Sequence, residues 1–178
     1  LVMVRYADDA VVLCRSREEA QSALARMRAW VSANGLALHP DKTHVGDYRV
    51  EGQGFEFLGY RFEAGQRWVR KKSLTSLRDN IRAKTKRNEG NSLAYVIAAL
   101  NPTLRGWYGY FQHAHRFTFT SIDGFVRRRL RAMLRRQKHR PGQGRCLRDH
   151  QRWPNAFFAD LGLFTMHEAH RLARGNGL

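Results

Sequence analysis

The hydrophobic positions at the start of the chain form two short runs, separated by a pair of carboxylates. Leu1 to Tyr6 is mostly apolar and Ala10 to Cys14 is entirely so, and both runs are rich in residues that favour β-strands. The pattern predicts two buried strands joined as a β-hairpin, with Asp8 and Asp9 at its tip. Aspartate is also a common turn residue, so an ordinary turn is the alternative explanation.

The segment that follows changes to a helical period. Ser16 and Glu19 have the spacing of a capping box, and Asn34-Gly35 is a typical helix end. The predicted helix is apolar on one face, at Ala20, Ala23, Leu24, Met27, Trp30 and Val31. Leu36 to Leu38 predicts a further strand, and another candidate strand ends at Val45. We therefore expect a helix packed on an antiparallel sheet.

An alternating aromatic stretch from Tyr48 to Phe62 predicts a pair of strands, with Gly59 at a bend or close approach. Beyond Trp68 helical signals take over, which places a domain boundary after residue 70. Helices are predicted over 73–87, 92–100 and 121–138, and another is capped by Asn101 with Pro102 at its first position. The expected fold class is α+β: a partial antiparallel sheet with a packed helix in 1–70, then an all-α helical bundle in 71–178.

The predicted helix over 121–138 has two contrasting faces. Residues expected to point inward are Ile122, Phe125, Val126, Leu130, Met133 and Leu134. Residues expected on the outside are Arg127, Arg128, Arg129, Arg131, Arg135, Arg136 and Lys138. A solvated basic face is the ordinary explanation, but these cations have almost no acidic partner at helical spacing and repel one another. Contact with phosphates is the interpretation that offsets this repulsion.

The charge is unevenly distributed along the chain. The formal net charge is +17, yet residues 1–70 carry 10 Lys and Arg against 9 Asp and Glu, whereas 71–178 carry 22 against 6. A polyanionic partner accounts for this asymmetry, and nucleic acid is the default. An anionic membrane is the other polyanion, but no segment pairs a basic face with a strongly apolar face left without a partner. We therefore expect no membrane partner.

Several other classes of protein are disfavoured. Cys14 and Cys146 alone make neither a disulfide framework nor a zinc cluster, and His167-Glu168-Ala169-His170 is one residue short of the zinc-protease spacing. There is no signal-peptide pattern and no long apolar run, so a soluble, cytoplasmic protein is expected. Because the chain opens within a predicted strand and without Met, we expect the C-terminal part of a longer protein.

Two adjacent carboxylates held by rigid strands suit a hard divalent cation such as Mg²⁺, which prefers oxygen ligands. In this light Tyr6-Ala7-Asp8-Asp9 resembles the active-site hairpin of reverse transcriptases. The run from Gly35 to Thr43 is similar to the block that follows that hairpin, and Phe57-Leu58-Gly59-Tyr60 is similar to the primer grip. The resemblance implies that Asp8 and Asp9 hold Mg²⁺, that Tyr6 lies against the primer–template end, that Lys42 lies near the triphosphate, and that Phe57, Leu58, Gly59 and Tyr60 position the primer.

The second half resembles the maturase domain, or domain X, of group II intron reverse transcriptases. The resemblance rests on Asn101-Pro102, Arg105-Gly106-Trp107, the run from Asp123 to Arg131, and the tail from Asn155 to Phe164. In that family domain X is also the polymerase thumb, which grips the template–primer duplex and binds intron RNA. The implied RNA-binding residues are Arg105, Trp107, Tyr108, Arg127, Arg128, Arg131, Arg135 and Lys138. Core packing is the alternative for Trp107.

The resemblance implies an RNA-directed DNA polymerase that also acts as an intron maturase. Its expected partners are group II intron RNA, an RNA template–DNA primer duplex and deoxynucleoside triphosphates, with Mg²⁺ as cofactor. The family's third catalytic aspartate lies on an earlier palm strand, so this chain alone is expected to be inactive. The alternatives are a non-enzymatic RNA-binding splicing cofactor and a related bacterial reverse transcriptase with a defence role.

Overall fold

The computed structural model describes residues 1–175, in which seven helices and two small antiparallel sheets make an α+β fold. The chain divides into two compact units, the hairpin unit (Leu1–Arg67) and the helical unit (from Trp68 onward). The elements are β1 (Val2–Tyr6), β2 (Asp9–Leu13), α1 (Arg17–Ala33), β3 (Phe55–Phe57), β4 (Tyr60–Glu63), β5 (Gln66–Val69), α2 (Lys71–Lys84), α3 (Leu93–Phe111), α4 (Arg116–Gln137), α5 (Leu147–Arg152), α6 (Asn155–Asp160) and α7 (Met166–Gly175).

The predicted hairpin at the start of the chain is present. Strands β1 and β2 pair antiparallel, with Val2 opposite Leu13 and Tyr6 opposite Asp9. The expectation that both strands are buried is wrong, since every residue of β1 is exposed and Val4 keeps 45% of its surface accessible. Helix α1 packs beside β2 and half-buries most of its predicted apolar face, whereas Trp30 is 64% exposed.

The strands predicted after α1 do not form. Residues 36–54 contain turns and irregular backbone, and Leu36 is 64% exposed. A run of β-favouring residues becomes a strand only when another strand satisfies its backbone groups, and the first sheet of the described structure contains β1 and β2 alone. The expected helix-on-sheet arrangement is therefore limited to α1 beside a two-stranded hairpin.

The aromatic stretch forms a second sheet, with the strand order β3-β4-β5. Phe55 pairs with Phe62 across the first two strands, and their rings stack with centroids 4.9 Å apart. Gly54 precedes this pair in a crowded position, because a Cβ there would lie 2.3 Å from the Phe62 carbonyl oxygen. The close approach that a glycine permits thus occurs at Gly54.

The helical unit has a core of large side chains from four helices. Ile81 of α2, Leu100 of α3, Phe119 of α4 and Met166 of α7 are all fully buried. Within each of these helices the buried apolar residues recur at helical spacing, as the apolar pattern predicts. The helices pack pairwise, α4 against α7 and α3 against both α2 and α7.

Two helices predicted around residue 100 are one. Helix α3 runs without a break through Pro102, which lacks the amide that would bond to the Ala98 carbonyl. Asn101 does not cap a helix: its side-chain amide donates to the Gly162 carbonyl and its oxygen accepts from the Phe164 amide, both at 2.8 Å. These two hydrogen bonds fasten α3 to the tail and help to offset the missing helical bond.

Helix α7 is capped from another helix. Asp123 of α4 is 4% exposed, and its two carboxylate oxygens accept from the backbone amides of Met166 at 3.1 Å and His167 at 2.9 Å. Negative charge at a helix N-terminus is favourable, and these bonds satisfy amides that the helix cannot. Glu168 in the first turn of α7 pairs with Arg171, so the cap comes from α4.

Substitution of Asp123 by Ala is expected to lower the free energy of unfolding by about 1–3 kcal/mol, because it leaves the buried Met166 amide and the partly buried His167 amide without their acceptors. Chemical denaturation measures this, and the matched control Glu168→Ala should change stability by less than about 0.5 kcal/mol. Burial raises the pKa of Asp123, although the bonds from His167 and Met166 oppose the rise. The folded state therefore holds this proton more tightly, so the wild type should gain stability relative to Asp123→Asn as the pH falls from neutrality. Equal losses in the alanine variant and its control would contradict the capping role.

Candidate functional site

The two carboxylates of the first hairpin occupy different positions at its tip. Because Tyr6 is opposite Asp9, the turn consists of Ala7 and Asp8, and Asp9 is the first residue of β2. Ala7 has a φ of 52°, a left-handed conformation that costs a residue with a side chain about 1–2 kcal/mol. The Arg5 guanidinium donates to the Ala7 carbonyl at 2.8 Å and helps to hold this turn. One carboxylate therefore lies within a short, register-defined turn and the other directly after it.

The carboxylates of Asp8 and Asp9 are exposed and make no hydrogen bond or ion pair with any of residues 1–175. Their oxygens are thus available as ligands for a hard cation, and Mg²⁺ is commonly held by one or two carboxylates together with water and substrate phosphates. Within the same residues no group of three or more His, Cys, Asp or Glu side chains could hold a metal ion. The chemistry of these two carboxylates fits Mg²⁺ as a pair of ligands, and this role stays a prediction from sequence.

The side chains of Tyr6 and Asp9 lie on the same face of the hairpin, since directly opposed residues on paired strands point the same way. Tyr6 is 65% exposed, so its ring is accessible. Lys42 lies in the irregular stretch after α1, exposed, and within the described residues it has no bonded partner. Its position near a triphosphate stays a prediction from sequence.

The second hairpin has a tight two-residue turn of the predicted primer-grip residues. Phe57 pairs with Tyr60, and the turn residues Leu58 and Gly59 both have positive φ, 48° and 79°. Two consecutive left-handed residues are typical of the type I′ turn, whose twist matches that of the paired strands. The strained conformation at Leu58 places the turn backbone at a defined position. All four residues of this turn are half-buried.

The aromatic residues of α3 are part of the packing of the helical unit. The Tyr108 ring contacts Phe119 and Phe164 edge-on, with centroids 5.3 and 5.8 Å away, and burial raises its pKa. The Trp107 ring lies 4.7 Å from Phe111. The indole nitrogen of Trp107 and the hydroxyl of Tyr108 are buried and have no hydrogen-bond partner in the described structure. Packing, the alternative for Trp107, accounts for these contacts, and base stacking by either ring stays a prediction.

Arg105 is exposed, and its guanidinium lies 4.7 Å from the centroid of the Phe164 ring. This cation–π contact orients the charge at the surface while leaving its hydrogen-bond donors accessible. Arg105 thus remains a candidate for contact with RNA.

The arginines of α4 do not share one outer face. The expected outward position of Arg131 is wrong: it is 2% exposed, and it donates to the Trp153 carbonyl and to the Asn155 side chain, both at 2.9 Å. Arg135 is bound to both carboxylate oxygens of Asp149 at 2.8 and 3.0 Å. The physical reason is that the segment after α4 folds back and supplies acceptors that helical periodicity cannot reveal. The guanidinium groups of both residues therefore donate to acceptors within the protein.

Arg129 also has a structural role, since it donates to the hydroxyl and to the carbonyl of Thr85 at 2.9 and 2.8 Å at the end of α2. Arg127, Arg128 and Lys138 form no hydrogen bond to a protein acceptor through their side chains within residues 1–175. These three are the predicted RNA-binding side chains of this region whose donors are available. Arg78 and Arg82 of α2 lie close to Arg128, a proximity that the sequence does not reveal because it arises from tertiary packing.

Comparison with known protein families bears directly on these two units. Residues 1–62 match the model of the reverse transcriptase (RNA-dependent DNA polymerase) family, and residues 74–153 match that of the group II intron, maturase-specific domain. The chain belongs to the group II intron reverse transcriptase and maturase family. The reverse transcriptase match contains both hairpin turns, and the maturase match contains most of α2 and all of α3, α4 and α5.

The two matches support reverse transcriptase and maturase functions. They do not favour the alternatives, which were a non-enzymatic RNA-binding splicing cofactor and a related bacterial reverse transcriptase with a defence role. No curated protein matches the chain. Within residues 1–175 no helix is long and apolar enough to cross a membrane. Nucleic acid is therefore the polyanion to which the family and the positive charge both point.

Proposed function

We propose that the hairpin unit is the catalytic end of a polymerase palm and that the helical unit is its thumb and maturase domain. The intact enzyme extends a DNA primer on an RNA template and binds group II intron RNA to promote splicing. The observation that carries this proposal is a pair of available carboxylates on a register-defined turn, followed in the same chain by a helical unit of strongly positive charge.

The predicted catalytic residues of the hairpin unit have different roles in this function. Asp8 and Asp9 would hold Mg²⁺, which when bound supplies positive charge at the primer 3′-hydroxyl and at the leaving pyrophosphate. Tyr6 lies against the primer–template end, on the face that it shares with Asp9. Lys42 supplies charge or a proton to the pyrophosphate of the deoxynucleoside triphosphate.

The second hairpin positions the primer. Its turn backbone at Leu58 and Gly59 projects from a sheet whose aromatic pairing fixes the position of the turn. Phe57 and Tyr60 flank this turn as a paired set and support it from both strands. A backbone contact suits primer strands of any sequence, because it reads no base.

The experiment that tests the proposal measures RNA binding and primer extension in the same samples. The chain should bind a structured RNA with an affinity that falls steeply with salt, because each phosphate contact releases counterions. Extension by the active polymerase that contains this hairpin should require Mg²⁺ and stop with a chelator, while RNA binding in the helical unit persists. Salt-independent binding, or extension that survives removal of all divalent cations, would contradict the proposal.

A further inference from the structure

A cleft between α2 and α4 is lined by six residues, three of which are arginines. It has a volume of about 460 Å³ and is formed by Arg78, Arg82, Ser121, Gly124, Phe125 and Arg128, which we name the arginine cleft. All six residues belong to the helical unit, so its shape is set by the packing of that unit alone. Gly124 leaves space in this lining, since a Cβ added there would meet no atom within 4 Å.

Two guanidinium groups share one aromatic ring in the arginine cleft. The Cζ atoms of Arg82 and Arg128 lie 5.4 and 5.1 Å from the centroid of the Phe125 ring. Cation–π contacts of this kind orient a guanidinium without using its N–H donors. The ring therefore holds two arginines from different helices with donors left for another group.

The acceptors that would ordinarily satisfy these arginines are few. Arg82 is paired with Asp79 at 2.5 Å, but Arg78 and Arg128, both half-buried, have no hydrogen-bond acceptor among residues 1–175. By contrast, the neighbouring Arg129 and Arg131 are bound to protein oxygens. Unsatisfied donors on half-buried cations are costly, so this pair differs from the structural arginines of the same helix.

The cations of the cleft also repel one another. Burial lowers the pKa of Arg128, and the positive charges of Arg145, Arg82 and Arg78 lower it further. Asp79 neutralises one of these charges through its pair with Arg82. An anion that enters the cleft would relieve the remaining repulsion, and planar guanidinium groups match the geometry of phosphate oxygens.

We propose that the arginine cleft binds a backbone phosphate of RNA, with Arg78 and Arg128 as its donors and Phe125 as the platform that orients them. This inference rests on the proposed RNA binding by the helical unit and adds a particular site to it. Ser121 supplies a hydroxyl to the same cleft, and the space at Gly124 admits the sugar–phosphate strand. The contact carries no sequence information, because it is made to the backbone.

The test compares the double variant Arg78→Gln/Arg128→Gln with the charge-matched control Arg148→Gln/Arg174→Gln, whose side chains are exposed and lie outside the cleft. Binding to a structured RNA hairpin is measured across a salt series. The cleft variant is expected to weaken binding by about tenfold and to reduce the log–log salt slope by about one, because one phosphate contact is lost, whereas the control should change the slope by less than half as much. Thermal unfolding of both variants verifies that each is folded.

A second variant tests the geometry of the contact. Arg128→Lys keeps the charge but lacks the planar fork, so it should keep the salt slope and lose part of the affinity. If Arg78→Gln/Arg128→Gln and the control weaken RNA binding equally, the cleft is not a site and the inference is wrong. If the wild type itself shows no salt-dependent RNA binding, the proposed function fails first, and the two failures are thereby distinguished.

Inorganic phosphate distinguishes the source of the anion. The arginine side-chain N–H resonances are followed by NMR during separate titrations with the RNA hairpin and with inorganic phosphate. Shifts at Arg78 and Arg128 with the RNA at low concentration support the inference. Shifts with inorganic phosphate alone would assign the cleft to a free anion and overturn the RNA assignment.

Discussion

Replacement of Asp8 or Asp9 by Asn is expected to lower primer extension by roughly a thousandfold or more in the active polymerase that contains this hairpin. Asparagine preserves the shape of the side chain and is equally compatible with a turn, so the hairpin should remain folded. What is lost is the negative charge that attracts a hard cation, because an amide oxygen is a weaker ligand than a carboxylate. Single-turnover extension at several Mg²⁺ concentrations measures the effect on the rate and on the metal requirement.

The same samples should bind structured RNA as tightly as the wild type, because the carboxylates make no hydrogen bond or ion pair with another described residue and the proposed RNA contacts lie in the helical unit. Asp160→Asn is the matched control: it makes the same chemical change at an exposed residue of the helical unit and should leave extension unchanged. An active Asp9→Asn polymerase would exclude a metal-binding role for that carboxylate. A parallel loss of RNA binding would show that the hairpin is a structural element.

Gly144→Ala is expected to destabilise the helical unit by about 2–5 kcal/mol. Gly144 has a φ of 73° and is buried against α4, and an added Cβ would lie 2.7 Å from both the Ala132 amide nitrogen and the Arg131 Cβ. The left-handed conformation costs about 1–2 kcal/mol for alanine, and the overlap of the added methyl group with buried atoms of α4 costs about 1–3 kcal/mol more. Urea denaturation measures the loss.

Gly109→Ala is the control for this substitution, and its expected effect has the opposite sign. Gly109 lies in the exposed part of α3, where an added Cβ meets no atom within 4 Å. Alanine is the better helix former, so this variant should be more stable by about 0.5–1 kcal/mol. A mild effect of Gly144→Ala, comparable in size with that of its control, would show that the loop after α4 adapts to the extra methyl group.

The local elements followed from the sequence because their signals are local. The turn at Ala7-Asp8 and the turn at Leu58-Gly59 lie where short apolar runs meet, and α4 contains the predicted apolar face at 121–138 although it begins at Arg116. In each hairpin only two residues separate the paired strands, so the turn determines the register of the strands. Family motifs added the meaning of these elements, which periodicity alone could not.

Tertiary partners were the part that the sequence could not reveal. Arg128 and Arg131 look equivalent in the sequence, yet one lines an open cleft and the other is buried against the carbonyl of Trp153. Nothing within a few residues of Arg131 signals an acceptor 22 positions later. The continuity of α3 through Pro102 was hidden for the same reason, since the compensating bonds of Asn101 reach residues 61 and 63 positions away.

Three polar residues, all in segments that resemble the maturase domain, hold the tail of the helical unit in place by hydrogen bonds. Asn101 holds Gly162 and Phe164, Asp123 holds the start of α7, and Arg131 holds Trp153 and Asn155. The contribution of these residues to the stability of the helical unit does not depend on DNA synthesis. In a related protein that has lost polymerase activity but still promotes splicing, selection should therefore conserve these three residues, whereas Asp8 and Asp9 should be free to change. The maturase segments of such a protein should remain recognisable in its sequence.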